Sequence, residues 1–375
     1  MGEGREGFGR EGRLEVRPPF RADQVGSLLR PERLIRARSM RSRDLREIQE
    51  QAILEIVAKQ EQIGLDSITD GEFSRDWWHL DFMKELDGVT LTQNSGPNLG
   101  PGFAGTEEQP PIPNVTGKLR YSKPIMVRDF AYLKSITRKT AKFTIPSPSM
   151  LHLRAGRAGI SREAYPDLDE FWGDAAQAYR MAIAAFADAG CTYLQLDDVS
   201  FAYLCDPKIR DACRKNGDDP AALPATYAST IRKAIEKKPA GMTITMHTCR
   251  GNFKSAWVAQ GGYEPVAEQM FASGVDGFFM EFDSARAGGF EPLRFVPKGK
   301  KVVLGLVSTK TGVLEDETLL KKQIEAASRY VPIENLCLSP QCGFSSTHHG
   351  NKLSEDEQWR KLERVVKVAK ETWGE

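Results

Sequence analysis

Four side chains carry the strongest chemical signal in the sequence: His247, Cys249, Glu281 and Cys342. One imidazole, two thiols and one carboxylate make a plausible zinc set, Zn2+ being favoured by the soft thiolate donors. Each residue ends an apolar run: MTITMHTC (242–249), VDGFFMEFD (275–283) and ENLCLSPQC (334–342). A lone His-x-Cys usually reflects ordinary packing. Three runs that end in ligands at matching positions are a stronger signal. Two thiolates and a carboxylate bring three negative charges to a dication. Such an electron-rich centre is a poor generator of hydroxide but suits a substrate thiol, which can lose its proton there and stay nucleophilic at neutral pH.

Other run ends offer groups suited to an amino acid. Backbone N–H groups at Val25, Gly26 and Ser27 could hold a carboxylate. Glu72, after Asp70-Gly71, and Asp197, before Asp198, could hold an ammonium group. Asp198 reads as structural. His348-His349 read as a solvated loop pair, and His79 and His152 as structural residues without a partner pattern.

These side chains need a scaffold that brings run ends together. Eight apolar runs recur, at 22–27, 65–72, 141–149, 191–200, 242–249, 275–283, 300–308 and 334–342. Helical patterns separate most of them, at 45–64, 169–190, 222–238, 264–274, 314–331 and 354–373, several closing on a glycine that suits a left-handed cap. Strand–helix alternation implies parallel βαβ units, and eight units imply an α/β fold of the (β/α)8 TIM-barrel type with its active site at the strand carboxyl ends. An open doubly wound sheet is the competing architecture. The Gly- and Pro-rich segment 91–140 fits neither unit and reads as a long excursion between the second and third strands, partly over the barrel mouth. The domain reading is a disordered tail over 1–16 and one zinc-containing barrel over 17–375.

The formal charge is +1, from 52 basic and 51 acidic side chains, which leaves no electrostatic footprint for nucleic acid or an anionic membrane. A small-molecule partner is expected. No apolar run approaches a membrane span and the first residues lack a signal-peptide pattern, so the expected location is the cytoplasm. The six cysteines are then reduced thiols, more often metal-binding or catalytic than bridged. No GxGxxG or Walker loop is present.

The stretches RADQVGSLLRP, ITDGEFSRDWW, QLDD, MHTCRGN, FFMEFDS and SPQCGFSS together resemble the catalytic C-terminal barrel of cobalamin-independent methionine synthase, over about Phe20 to Trp373. The resemblance is nearest to the short, single-barrel members. It implies zinc at His247, Cys249, Glu281 and Cys342. It also implies homocysteine as the thiol, its carboxylate at Val25–Ser27 and its amine at Glu72 and Asp197. The sulfur then attacks a methyl group, giving methionine.

Three departures all concern the methyl donor. Where the long enzymes place a proton-donating His after the seventh strand, this chain has GLVSTK, with Lys310 as the candidate proton donor. Where they place a pterin-stacking Trp, Pro148 stands, leaving Trp77 or Trp78 as candidate stacking surfaces. The N-terminal half of the long enzymes has no counterpart. The donor is therefore open between a methylated folate, methylcobalamin and a sulfonium compound. Two rival readings remain. One is zinc-dependent alkyl transfer to another thiol, as in epoxide–coenzyme M transferases, against which the Glu72 and Asp197 pair speaks. The other is a non-catalytic zinc-binding barrel.

Overall fold

A computed structural model describes residues 17–93 and 110–374; the tail over 1–16 and part of the predicted excursion lie outside the described residues. Seven parallel strands form one curled sheet. They are β1 (Ser67–Ile68), β4 (Thr140–Pro146), β5 (Tyr193–Asp198), β6 (Thr243–Thr248), β7 (Gly277–Glu281), β8 (Lys301–Val307) and β9 (Leu336–Pro340), neighbours in that order. Strands β2 (Asp87–Thr92) and β3 (Ile112–Arg120) form a separate antiparallel hairpin. The strands of the main sheet are almost wholly buried on both faces, as parallel strands covered by helices must be, and Lys142, Gln195, Asp197, His247 and Glu281 are polar groups buried among their apolar residues.

Seven of the eight predicted runs form strands of this sheet among the described residues. The run over 22–27 makes only single parallel bridges, Ala22 to Leu338 on β9 and Ser27 to Gly71 just past β1. Its carbonyls are taken by side chains instead of a ladder. Lys142 Nζ donates to Gln24 O. Gln195 Nε2 reaches Val25 O at 2.8 Å, and Thr69 Oγ1 reaches Gly26 O at 2.7 Å. The same mechanism shortens β1. Gln60, projecting from the preceding helix, caps both Thr69 N–H and Thr69 C=O at 2.9 Å, so the ladder stops at Ile68.

Helices Leu45–Ile63, Leu168–Asp188, Leu223–Ile235, Ala267–Phe271, Glu317–Ala327 and Glu355–Trp373 occupy the predicted intervals. Their ends follow the chemistry of the sequence. Gly64 adopts φ 94° and closes the first. Asp167 accepts from Asp169 N–H to open the second. Ser354 and Glu357 cap each other's backbone at the start of the last. The predicted excursion over 91–140 holds the end of β2, all of β3 and a helix over Val127–Ile136, whose Phe130 and Leu133 are buried, while β2 already begins at Asp87, before it. Among the described residues no helix is long and apolar enough to cross a membrane.

The Ser354 capping box fastens a helix whose Leu362, Val365 and Val366 enter the core. Replacing Ser354 by Ala should lower stability by about 1 kcal/mol in urea denaturation while leaving metal content unchanged. An unaltered unfolding midpoint would show that the box contributes nothing.

Candidate active site

Parallel register sets the site. Asp197 on β5 pairs with His247 on β6, and His247 pairs with Phe279 on β7. Glu281 lies two residues beyond Phe279 and so faces the same side of the sheet. Cys342 follows β9 after Gln341, whose N–H bonds Val307 O at 2.8 Å. The donor atoms of His247, Cys249, Glu281 and Cys342 all lie within 4.8 Å of one another.

The four fit a metal ion. Roughly 2.0–2.3 Å zinc bonds in a tetrahedron put donors roughly 3.3–3.8 Å apart, and the two sulfurs stand at 3.4 Å. No nitrogen or oxygen partner reaches either ring nitrogen of buried His247. Glu281 is fully buried; Gln341 Nε2 reaches one carboxylate oxygen at 3.2 Å, and the nearest cation to the other is Arg286 at 3.7 Å. Thr309 Oγ1 orients Gln341 in turn at 2.6 Å, so the carboxylate has outer support of the kind metal ligands use. Without a cation the thiols cannot both ionise. The hydrogen bond between them pushes Cys342 well below and Cys249 well above the usual thiol range.

One wall of the adjoining cleft carries the predicted amino-acid groups: Val25, Ser27, Glu72 and Asp197 line it. Gly26 adopts φ 150°, and a Cβ there would stand 2.8 Å from Thr144 Cγ2, so only glycine brings this backbone so close to β4. Glu72 is held at φ 60°, a left-handed conformation costly for a side-chain-bearing residue. Thr144 Oγ1 donates to its Oε1 at 2.8 Å, while Oε2 is buried without a partner. Asp197 accepts from Gln195 at 2.7 Å. Burial, with the Glu72 charge adding and His247 opposing, pushes Asp197 up to about 7. Both carboxylates thus face the cleft without a cationic partner at hydrogen-bond distance, Arg75 approaching Glu72 only to 3.6 Å. Asp198 points to the other face, where Ser147 and Ser149 donate to it.

Trp77 and Trp78 both line the cleft, whereas Pro148 and Lys310 do not. Trp77 stacks on Phe253 at 6.1 Å, with His349 edge-on at 5.4 Å and His348 at 6.0 Å. The two histidines are therefore half-buried in an aromatic cluster, not a solvated pair. Lys310 Nζ donates to Gly251 O at 3.3 Å, and its charge acts on Cys249, Cys342 and Glu281. Sequence reasoning missed His79, Arg154 and Tyr203, which also line the cleft. They follow β1, β4 and β5 in short helical turns, and no motif signals them. It also missed Arg30, a fully buried guanidinium that binds the carbonyls of Glu72, Arg75, Ser345 and Thr347 at 2.9–3.0 Å. That clamp joins the turn bearing Glu72 to the loop after Cys342.

A curled parallel α/β sheet whose carboxyl ends bring two thiols, an imidazole and a carboxylate together defines the class: an α/β protein with four groups that could hold a metal ion beside a cleft. The chain belongs to the cobalamin-independent synthase family, whose catalytic-domain model matches residues 30–371. It is 46% identical to the uncharacterized protein YxjH of Bacillus subtilis, over 97% of this chain and 98% of that one. A protein of Pyrococcus abyssi described as methionine synthase is 23% identical, over 85% of each chain. A Listeria monocytogenes crystal structure, described as a putative vitamin-B12 independent methionine synthase, superposes with a TM-score of 0.76 at 40% identity, covering 96% of this chain and all of that one.

Two measurements probe how the Glu72 turn is held. Asp70 takes Glu72 N–H at 2.9 Å, but its other oxygen is buried without a partner, and burial pushes its carboxyl from 3.8 up to about 6. Below about pH 4 folded and unfolded chains are both protonated, so no penalty exists; above about pH 6 the fold carries an ion it disfavours. Asp70→Asn should therefore stabilise the protein at pH 8, by on the order of 2 to 3 kcal/mol, and not at pH 4. Equal effects at both values would contradict the assignment. Arg30→Lys cannot span four carbonyls with one ammonium and should cost roughly 3 kcal/mol in denaturant unfolding; a change under about 0.5 kcal/mol would show the clamp to be dispensable.

Proposed function

We propose that this protein is a zinc-dependent homocysteine S-methyltransferase that produces methionine. The observation that carries the reading is the meeting of four metal-competent donor atoms within 4.8 Å beside a cleft whose nearest wall presents Glu72 and Asp197. His247, Cys249, Glu281 and Cys342 would hold the zinc, which when bound supplies a Lewis acid that lets a substrate thiol lose its proton near neutral pH. The remaining work falls to the chain. The carboxylates of Glu72 and Asp197 bind the substrate ammonium. The backbone at Val25, Gly26 and Ser27 takes its carboxylate. Trp77 and Trp78 offer apolar faces to the methyl donor and exclude water. Lys310, whose charge acts on both thiols, offsets part of their charge and is the candidate for the proton-donor role.

The family supports homocysteine as acceptor, and the two carboxylates favour an ammonium-bearing thiol over a sulfonate such as coenzyme M. An open cleft beside the ligands argues against a purely structural metal knot. The bridges from 22–27 to both sheet edges support a (β/α)8 barrel closed by that segment. The six unpaired cysteines suit the cytoplasm.

Purified protein should carry close to one zinc per chain, and Cys342→Ser should lose most of it; full retention by that variant would falsify the ligand set. Homocysteine should bind the zinc-loaded form with release of about one proton near pH 7, read by calorimetry in two buffers of different ionisation enthalpy. Identical heats in both buffers would count against thiol ionisation.

A further inference from the structure

The cleft beside the metal ligands holds three further side chains that the foregoing reading leaves without work. His79 precedes the short helix Leu80–Met83 after β1, Arg154 follows Met150–Leu153 after β4, and Tyr203 ends Ser200–Tyr203 after β5. All three line the cleft. His79 is 2% exposed, and neither of its ring nitrogens has a hydrogen-bond partner. An imidazole buried this way forfeits its hydration with no hydrogen bond in return among the described residues. Its ring packs on Trp78 at 4.5 Å. Arg154 is half-buried, with Nε enclosed and unpartnered, and no carboxylate forms an ion pair with it among the described residues. Among the described residues the site therefore holds a cation without an anion and a polar ring without a partner.

We propose that His79 and Arg154 form a second subsite of the cleft, which binds an anionic group, carboxylate or phosphate, carried by the methyl donor. This rests on the methyltransferase reading above. Arg154 supplies a charge-assisted fork for two oxygens. His79 donates a ring N–H to the same group, and Trp78 gives the donor a flat apolar face. Burial and the Arg154 charge keep the imidazole neutral, well below its usual range, so it acts as a hydrogen-bonding group and leaves the net positive charge of the wall to Arg154.

Placement supports the division. The charge of Arg154 acts on Tyr203, and so do those of Cys249, Glu281 and Cys342. Tyr203 thus stands within electrostatic reach of both ends of the cleft. A donor anchored by its anionic end at Arg154 lies along Tyr203 with its methyl group toward the thiol. Glu72 and Asp197 make the acceptor wall unfavourable for an anion that brings no ammonium group with it, so a zwitterionic acceptor and an anionic donor sort to different ends of the cleft. In the transfer the acceptor sulfur forms the bond to the methyl carbon, and the bond from methyl to the donor heteroatom breaks with its pair staying on the donor. The proton lost by the thiol balances the one the donor takes up. His79 and Arg154 hold the donor and make no bond.

The test uses the zinc-loaded full chain with Arg154→Gln, Arg154→Lys and His79→Gln. Calorimetric titration with glutarate and with inorganic phosphate needs no turnover, and it tells a carboxylate site from a phosphate site. At least one probe should bind, roughly tenfold or more weakly to Arg154→Gln and His79→Gln, with much of the affinity kept by Arg154→Lys. In assays with homocysteine and 5-methyltetrahydrofolate bearing one or three glutamates, or methylcobalamin, the same variants should raise the donor KM and leave the homocysteine KM within about twofold. The idea is overturned if neither anion binds the unaltered protein, or if Arg154→Gln raises the homocysteine KM as much as that of the donor. Arg154 is half-exposed, so its variants keep the test readable should His79→Gln fail to fold. Absence of zinc or homocysteine binding would sink the preceding proposal and with it the assignment of the anion to a methyl donor, whereas the anion titrations separately read whether His79 and Arg154 form an anion subsite.

Discussion

Buried negative charge is the constraint around which this molecule is arranged. Glu281 is fully buried, two sulfurs stand 3.4 Å apart beside it, and Glu72 and Asp197 face the same cleft. Nearby cations answer only in part: Arg286 stays 3.7 Å from Glu281 and Arg75 3.6 Å from Glu72. The protein alone cannot ionise all these groups, and the opposite shifts of Cys249 and Cys342 are how two thiols share that difficulty. A dication at the thiols and an ammonium at the carboxylates relieve it together. The electrostatics thus ask for the two cationic entities that the proposed reaction brings, and each arrives where its ligands already converge.

Holding such groups in place takes backbone that the sheet alone does not provide. Arg30 reaches carbonyls on both sides of the cleft, and its own burial lowers it to about 10, a cost that four close carbonyls offset. Gln60, Lys142 and Gln195 do similar work around the segment that bears Val25 to Ser27. Side chains substitute for ladder bonds where the chain must bend toward the substrate. The left-handed Glu72 is the local result: its backbone is strained, and the clamp on Glu72 O keeps it so.

What the sequence made legible follows from periodicity. Strand ends repeat with the βα unit, so His247, Cys249, Glu281 and Cys342 could be aligned by counting, and helix ends could be read from glycines such as Gly64. Strand 22–27 and most of 65–72 were misjudged, because the apolar pattern is the same whether a carbonyl meets a neighbouring strand or a glutamine side chain. His79 was passed over for a related reason. A buried histidine with a partner and one without look alike in sequence, and its orphaned nitrogens appear only when every neighbour is placed. His348 and His349 sit beside Gly350, which reads as loop, yet Trp77 and Phe253 enclose them from distant positions.

The two walls of the cleft differ in how freely they can change. Glu281 and Asp197 sit on strands whose one-residue slip would turn every side chain to the other face, so acceptor and metal chemistry are locked to the register of the sheet. His79, Arg154 and Trp78 stand on short turns beyond the strands, where a substitution disturbs no ladder. The same asymmetry appears in the departures at Lys310 and Pro148, both past strand ends and both on the donor's side of the reaction. On the proposed reading, a scaffold of this kind would keep its thiol chemistry while its loops accept different methyl carriers. Specificity for the donor must then be sought in the side chains of those turns, because the sheet that builds the metal centre has no freedom left with which to express it.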